Sequence, residues 1–459
     1  MLTSIRDWWR SQDQNCILVN VLAALIVFSA SSDINNINIG ISLGLAGAYI
    51  LYYCIKNRSL QVFRISKENL LGMVVFLGAV LLSSLAIKDP KSIHLAASYI
   101  YWTLPFFVIV WLGNLTDIRY GAVAGGIVSV FITGLFSLIL HYIHQHKAVY
   151  LQIRRFLRRC LRHSKSGLLV VLLSSIVLRL KDISKWGGRV GAFDSTNPNF
   201  YGTLLIGILP LLIFALRSEV FRNHKWLLVL DTVVLLLGCH ALWITGSRGA
   251  VAALFAGGLY ILLAYTFSNK KMKVLLVGLT LGAVFFGLAL HFGIAGRVYQ
   301  KGDIHREYLL QSSYHMWLDH KITGVGLANW ASVYAKSYAV VSEAKYLEAP
   351  HNAVAWFFSA TGMIGGCGYV FFLLYYIVLL TRKIKQQPDP WMIYAGLWAF
   401  LAINLHGMVD MGIILKQGAR LLYLMLGLAL TCHCRGTARE LSSGKINQKA
   451  VELTDYQSG

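Results

Sequence analysis

What most constrains this chain is its succession of long apolar runs. They lie near 16–32, 37–55, 69–87, 94–112, 120–142, 199–216, 226–244, 250–268, 274–292, 351–380, 391–411 and 417–434. A helix needs about 20 apolar residues to cross the hydrocarbon core of a bilayer, and runs of about 17–25 qualify. Composition points the same way. Of 459 residues 56% are hydrophobic and only 14% charged, with a mean hydropathy of +0.59. A soluble domain has about 45–50% apolar and about 25% charged residues. So much apolar surface cannot be hidden in a water-soluble core. A cytosolic enzyme, a secreted disulfide scaffold and a disordered regulator are excluded. The expected fold is all-α and polytopic, with about 12 transmembrane helices and one large loop. Four regions follow: a five-span stretch at 1–142, a basic segment and motif loop at 143–198, a seven-span core at 199–434 containing the loop 293–350, and a polar tail at 435–459.

Charge orients the helices. There are 42 Lys and Arg against 20 Asp and Glu, a net +22. In a soluble protein that balance would suggest nucleic acid; here no nucleic-acid partner is expected. Basic residues flank membrane spans and set their orientation, which accounts for most of the excess. The remainder is left to attract anionic lipids or a phosphorylated substrate. The connectors Arg217/Arg222/Lys225, Lys270/Lys271/Lys273 and Arg382/Lys383/Lys385 and the tail from Arg435 fall on one face by strict alternation. The positive-inside rule makes that face cytoplasmic. The other face then carries 245–249, the loop 293–350 and the turn 412–416. Arg6 and Arg10 precede the first apolar run without a small-residue cleavage site, so a retained first span is expected rather than a signal peptide. Cys16, Cys54, Cys160, Cys239, Cys367, Cys432 and Cys434 are scattered and form neither a disulfide framework nor a zinc pattern.

Residues 147–165 are the most basic stretch, and 167–180 is an apolar run of about fourteen residues, shorter than a span. If that run does not cross, 143–198 lies outside and both termini are cytoplasmic. If it crosses, the parity of the earlier helices breaks. Twelve spans follow from the first reading, with 150–180 at the outer interface. Residues 151–162 alternate Leu, Ile and Phe with Arg at helical spacing, as a surface-lying amphipathic helix does.

Three polar motifs interrupt the apolar sequence, all on the outer face. The first is Gly188-Arg189-Val190-Gly191-Ala192-Phe193-Asp194-Ser195-Thr196-Asn197-Pro198-Asn199. The second is Ile244-Thr245-Gly246-Ser247-Arg248-Gly249-Ala250, between two spans. The third is Pro350-His351-Asn352, opening a long helix. An arginine between two apolar helices must pair, snorkel or line a wet cavity. Arg248 is therefore either an interfacial anchor or a phosphate clamp, since a guanidinium fork meets phosphate oxygens bidentately. Ser247 and the N–H groups of a helix start would add donors. Arg189 is an ordinary loop cation or a second clamp. Asn197 and Asn199 are helix caps or partners of sugar hydroxyls.

His351 follows Pro350 at a helix start, which disfavours the imidazolium. A neutral His able to take a proton suits a general base. Asn352 stands beside it as a supporting polar group. The loop 293–350 holds Tyr299, Tyr308, Tyr314, Trp317, Trp330, Tyr334, Tyr338 and Tyr346, either sugar-stacking platforms or interface anchors. Residues 303–319 read as an amphipathic helix ending in the turn Thr323-Gly324-Val325-Gly326. Its Arg306 is a third phosphate contact or part of a solvated face. Asp410 is expected to pair with Lys416 or Arg420. Neither a GxxxxGK[ST] loop for ATP nor an HExxH or outer acidic cluster for a metal is present. Arginine is left to meet diphosphate charge.

These residues resemble the O-antigen ligase and polymerase superfamily of bacterial inner membranes. The matching pieces are GRVGAFDSTNPNFYG, ITGSRGAVAAL, DIHREYLLQSSYHMWLDHKITGVGLANW and PHNAVAWFFSATGMIGG. They span roughly 189–368, in order and with a long external loop before the His. The basic region 147–181 departs from the family's compact pattern, and the first five spans resemble it only in hydropathy. The resemblance implies a multi-pass glycosyltransferase of the inner membrane, working at the periplasmic face without metal, ATP or other cofactor. The donor would be a glycan on undecaprenyl diphosphate and the acceptor a sugar hydroxyl of lipid A–core. Arg189 and Arg248 fall on the family's diphosphate-binding arginines, and His351 on its proposed base. The mechanism would be a single displacement with inversion. If their segment is external, Arg154, Arg155, Arg158 and Arg159 would meet acceptor-lipid phosphates. A polymerase that extends chains on the carrier differs only in acceptor. An anion transporter and a scaffold in a glycan-export complex are the readings outside this class.

Overall fold

Among the described residues, apolar sequence of span length becomes helix in the computed structural model. It describes residues 14–32, 36–146, 188–191, 197–218, 225–266, 301–340 and 347–431, together with 152 and 155. Among the described residues every regular element is helical. They are α1 (Gln14–Ser32), α2 (Asn36–Asn57), α3 (Lys67–Ile87), α4 (Pro90–Tyr101), α5 (Leu104–Leu115), α6 (Arg119–Gln145), α7 (Pro198–Ala215), α8 (Lys225–Ile244), α9 (Arg248–Thr266), α10 (Lys301–Asp319), α11 (Ala353–Gln386), α12 (Trp391–His406) and α13 (Lys416–Thr431).

Among the described residues eight segments are long and apolar enough to cross a membrane: α1, α2, α3, α4 with α5, α6, α7, α8 and α11. Two shorter apolar helices, Arg248–Ala264 within α9 and α12, accompany them. The expected span near 274–292, the basic stretch 147–165 apart from 152 and 155, the run 167–180 and the tail 435–459 lie outside the described residues.

The centre is built from helices apolar on every side. Every residue of α7 from Tyr201 to Leu212 is buried, as is every residue of α13 from Leu421 to Thr431. α7 packs on α12, α13 on α5 and α12, α3 on α11, and α1 on α6. Outer helices instead expose Ile41, Leu45, Ile55, Leu82, Val229, Leu236 and Leu374. That is the pattern of a bundle whose solvent is lipid rather than water.

The bundle has two distinct ends. At one, Lys383 Nζ meets Glu68 Oε1 at 2.7 Å, and Arg119 pairs with Asp117 at 2.9 Å and Asp389 at 3.3 Å. At the other gather the ends of α3, α6, α8 and α12 and the starts of α4, α7, α9, α11 and α13. Val190 N donates to Ile244 O at 3.3 Å and Ala353 N to Gly407 O at 2.7 Å. Among the described residues, the alternation of helix ends separates Arg217, Lys225, Arg382, Lys383 and Lys385 from Arg189, Arg248 and His351. α6 also finishes at this second end, and a Cβ added to Gly188 would stand 3.4 Å from the His144 ring. The chain thus leaves α6 and re-enters at Gly188 at one end of the bundle.

The stretch after α10 is clamped to the bundle. α11 is broken at Gly362, where φ is 64° and ψ −160°, a conformation open to glycine. Into the break runs the turn after α10. Met363 N donates to Lys321 O at 2.7 Å, Val325 N to Ser359 O at 3.0 Å and Gly326 N to Ala360 O at 2.9 Å. Ser83 Oγ adds a bond to Thr323 O at 2.8 Å. Trp330 and Tyr334 are fully buried and stacked at 5.0 Å, and Trp330 Nε1 donates to Ser359 Oγ at 2.8 Å. These two aromatics are therefore packing residues, neither sugar platforms nor interface anchors. Tyr299 and Tyr346 lie outside the described residues.

Candidate active site

The three motifs meet at the second end. Asn197 caps α7: its Oδ1 accepts from Asn199 N at 2.9 Å, and Pro198 follows at the first helical position, where a missing N–H costs nothing. Asn199 is thereby aimed at Arg189, whose Nη2 donates to Asn199 Oδ1 at 2.6 Å. Arg189 Nε donates to Thr245 O at 2.7 Å. Two of the five N–H groups of a guanidinium are thus used to fix this fork. Residues 192–196 of the same motif lie outside the described residues.

Gly246 makes the second motif possible. Its φ is +60°, and a Cβ there would stand 3.0 Å from Arg189 Nε. The turn delivers Arg248 to the start of α9, where it is exposed. Gly249 lets that start approach the turn after α12, since a Cβ would stand 2.6 Å from Val409 Cγ2. Ser247 does not face outward with Arg248. It is 4% exposed and its Oγ lies 3.4 Å from His406 Nε2.

His351 sits one residue outside α11, at φ +52°. Asn352 is the cap: its Oδ1 accepts from Ala355 N at 2.9 Å and its Nδ2 donates to Met408 O at 2.8 Å. α12 ends at His406, so Asp410 belongs to the turn beyond the spanning segment. His351 Nδ1 lies 3.3 Å from Asp410 Oδ1. Asp410 Oδ1 also accepts from Met411 N at 2.7 Å, and Oδ2 stands 3.7 Å from Arg306 Nη2. The imidazole is half-buried and the carboxylate buried. The expected pairing of Asp410 with Lys416 or Arg420 is not made. The turn through Gly412, at φ +41°, starts α13 so that Arg420 points elsewhere, its guanidinium 5.6 Å from the centre of the Tyr101 ring.

Electrostatics ties the cluster together. Burial draws the Arg189 guanidinium below its ordinary value; Asp410 opposes this, while Arg306 and Arg248 push further down. An arginine nonetheless keeps its charge in a protein. Burial acts to raise the Asp410 carboxyl, but the His351 hydrogen bond and nearby cationic groups, Arg306 among them, hold it at about 2. Arg306 meets the Asp410 carboxylate at 3.7 Å, and Arg189 lies close enough to Asp410, Arg306 and Arg248 to feel the charge of each. Three guanidiniums gathered at one end of the bundle are the donor type that meets phosphate or diphosphate oxygens. Among the described residues no group of three His, Cys, Asp or Glu could hold a metal ion.

Residues 233–370 match the family model described as O-antigen ligase. This segment, under a third of the chain, is similar to the O-antigen ligase family and supports the resemblance to that superfamily. The match runs from α8 into α11 and contains Arg248, Arg306 and His351, whereas Arg189 and Asp410 lie on either side of it. It supports glycan transfer of the ligase or polymerase type by a multi-pass membrane protein. No curated protein sequence matches the chain.

All of Arg189, Arg248, Arg306 and His351 come to one end of the bundle, with Asn199 and Asn352 supporting them. The sequence reading missed His406 and gave Asp410 the wrong partners. The two are four residues apart at the end of one apolar run. That spacing places polar groups on one helical face, and it was the available signal.

Proposed function

We propose that the protein transfers a glycan from undecaprenyl diphosphate to a sugar hydroxyl of lipid A–core, at the periplasmic face of a bacterial inner membrane. The observation that carries this reading is the His351–Asp410 pair set beside Arg189, Arg248 and Arg306. A base held by a carboxylate, with guanidinium donors beside it, is what displacement at a glycosyl diphosphate needs.

Arg189 and Arg248 hold the diphosphate, and Arg306 approaches it from α10. His351 donates Nδ1–H to Asp410, which leaves the lone pair on Nε2. As the acceptor oxygen attacks the anomeric carbon, its proton passes to Nε2. The bond from the anomeric carbon to the diphosphate oxygen breaks, and that oxygen leaves with the electron pair. The arginines meet the charge that grows there, and Asp410 stabilises the imidazolium that forms. Attack opposite the leaving group inverts the anomeric centre.

The test is reconstitution of purified protein with a glycan-bearing undecaprenyl diphosphate and lipid A–core. Wild type is expected to move glycan onto lipid A–core, and His351→Ala and Arg248→Lys to abolish transfer while remaining folded. Longer chains on the carrier would identify a polymerase instead. Solute flux without glycan product would establish a transporter.

A further inference from the structure

His406 ends α12 and is enclosed, with 1% of its surface exposed. Hydroxyls from two other parts of the chain engage both ring nitrogens. Nδ1 lies 2.9 Å from Thr203 Oγ1 on α7, and Nε2 lies 3.4 Å from Ser247 Oγ just before α9. Thr203 fixes the direction of the bonds. Its hydroxyl donates to Asn199 O at 3.1 Å, and a hydroxyl has one proton to give. Thr203 must therefore accept from His406, which puts the ring proton on Nδ1. Nε2 then carries the lone pair and accepts from Ser247. A one-way chain of hydrogen bonds runs from Ser247 through a neutral His406 and Thr203 to Asn199.

Both ends of that chain stand beside an arginine of the site. Ser247 precedes Arg248, and Asn199 Oδ1 holds Arg189 Nη2 at 2.6 Å. A branch leads to the base: His406 O accepts from Asp410 N at 2.9 Å, and Asp410 meets His351 at 3.3 Å. We infer that His406 is the positioning residue that sets the Arg189–Arg248 spacing for a diphosphate. It touches none of the reacting atoms. An apolar side chain would fill the same space, but it would leave two buried hydroxyls without direction. This role rests on the proposed function for the identity of the diphosphate lipid.

The experiment uses the full chain with Ser247→Ala, His406→Asn and the double variant. The readouts are the dissociation constant for glycan-free undecaprenyl diphosphate, donor KM, kcat and thermal stability. Ser247→Ala removes one bond with little change in volume. It is expected to weaken the diphosphate lipid and raise donor KM about tenfold, with acceptor KM and kcat nearly unchanged. His406→Asn keeps the donor toward Thr203 but does not reach Ser247. It should resemble Ser247→Ala, and the double variant should be no worse than either single one. Unchanged binding in a folded Ser247→Ala, additive losses, or losses of stability with donor KM intact each overturn the inference. A wild type that binds the lipid but transfers nothing defeats the proposed reaction alone, and the binding constants still decide the role of His406. A wild type that does not bind the lipid defeats both.

Discussion

Asp410 decides what His351 can do. Asp410→Asn keeps the shape of the turn but offers an amide where Nδ1–H needs an acceptor, favouring the other tautomer. By analogy with the serine-protease triad, kcat should fall about 10²- to 10⁴-fold with donor KM little changed. Initial rates across donor concentration check this, and a loss confined to KM would place Asp410 in binding instead. Its carboxyl is held at about 2, below the ordinary 3.8. A pKa depressed by folding gives stabilisation that is complete above about 3.8 and is lost as pH falls through about 2. The advantage of wild type over Asp410→Asn in thermal stability should thus shrink as pH falls from 4 to 2, which melting curves across that range check. The candidate arginines and His351 were legible in the sequence because polar residues in apolar surroundings need a reason. The Asp410 partners were not, because the turn at Gly412 reaims α13 and nothing in its composition announces that.

At the scale of elements, the site depends on two glycine-dependent breaks. Gly246 combines positive φ with close approach to Arg189. Gly246→Ala adds about 1–2 kcal/mol of backbone strain and pushes on the fork, so donor KM should rise more than kcat falls; unchanged KM would contradict that assignment. Gly362 opens α11 to the turn 321–326, and a Cβ would run into Ile322 O. Gly362→Ala should release α10, detected as faster limited proteolysis within 301–340, and weaken the donor contact through Arg306. Equal proteolysis of both proteins would show that the clamp does not need the break. The helices themselves were readable because membrane spans are long and apolar. The break was not, because Gly362 lies in a Gly-rich helix where close packing gives the same sequence signal.

For the whole molecule, the two ends carry different chemistry. Lys383, Glu68 and Arg119 close one end, while Arg189, Arg248, Arg306 and His351 gather at the other. Single cysteines at 146 and 188 should be labelled from the same side of the membrane, and one at 389 from the opposite side. Opposite labelling of 146 and 188 would contradict their placement at one end of the bundle. In the proposed reaction a histidine–carboxylate base and an arginine clamp together move a sugar off a lipid diphosphate. The most direct measurement is a single-turnover time course with excess reconstituted enzyme, following glycan transferred and undecaprenyl diphosphate released in the same samples. Wild type should release one diphosphate lipid for each glycan transferred, with inverted anomeric configuration. His351→Gln and Asp410→Asn should bind donor normally and turn over slowly, whereas Arg248→Lys should bind it weakly. Diphosphate release that outruns glycan transfer, or transfer by His351→Gln at the wild-type rate, would contradict the account.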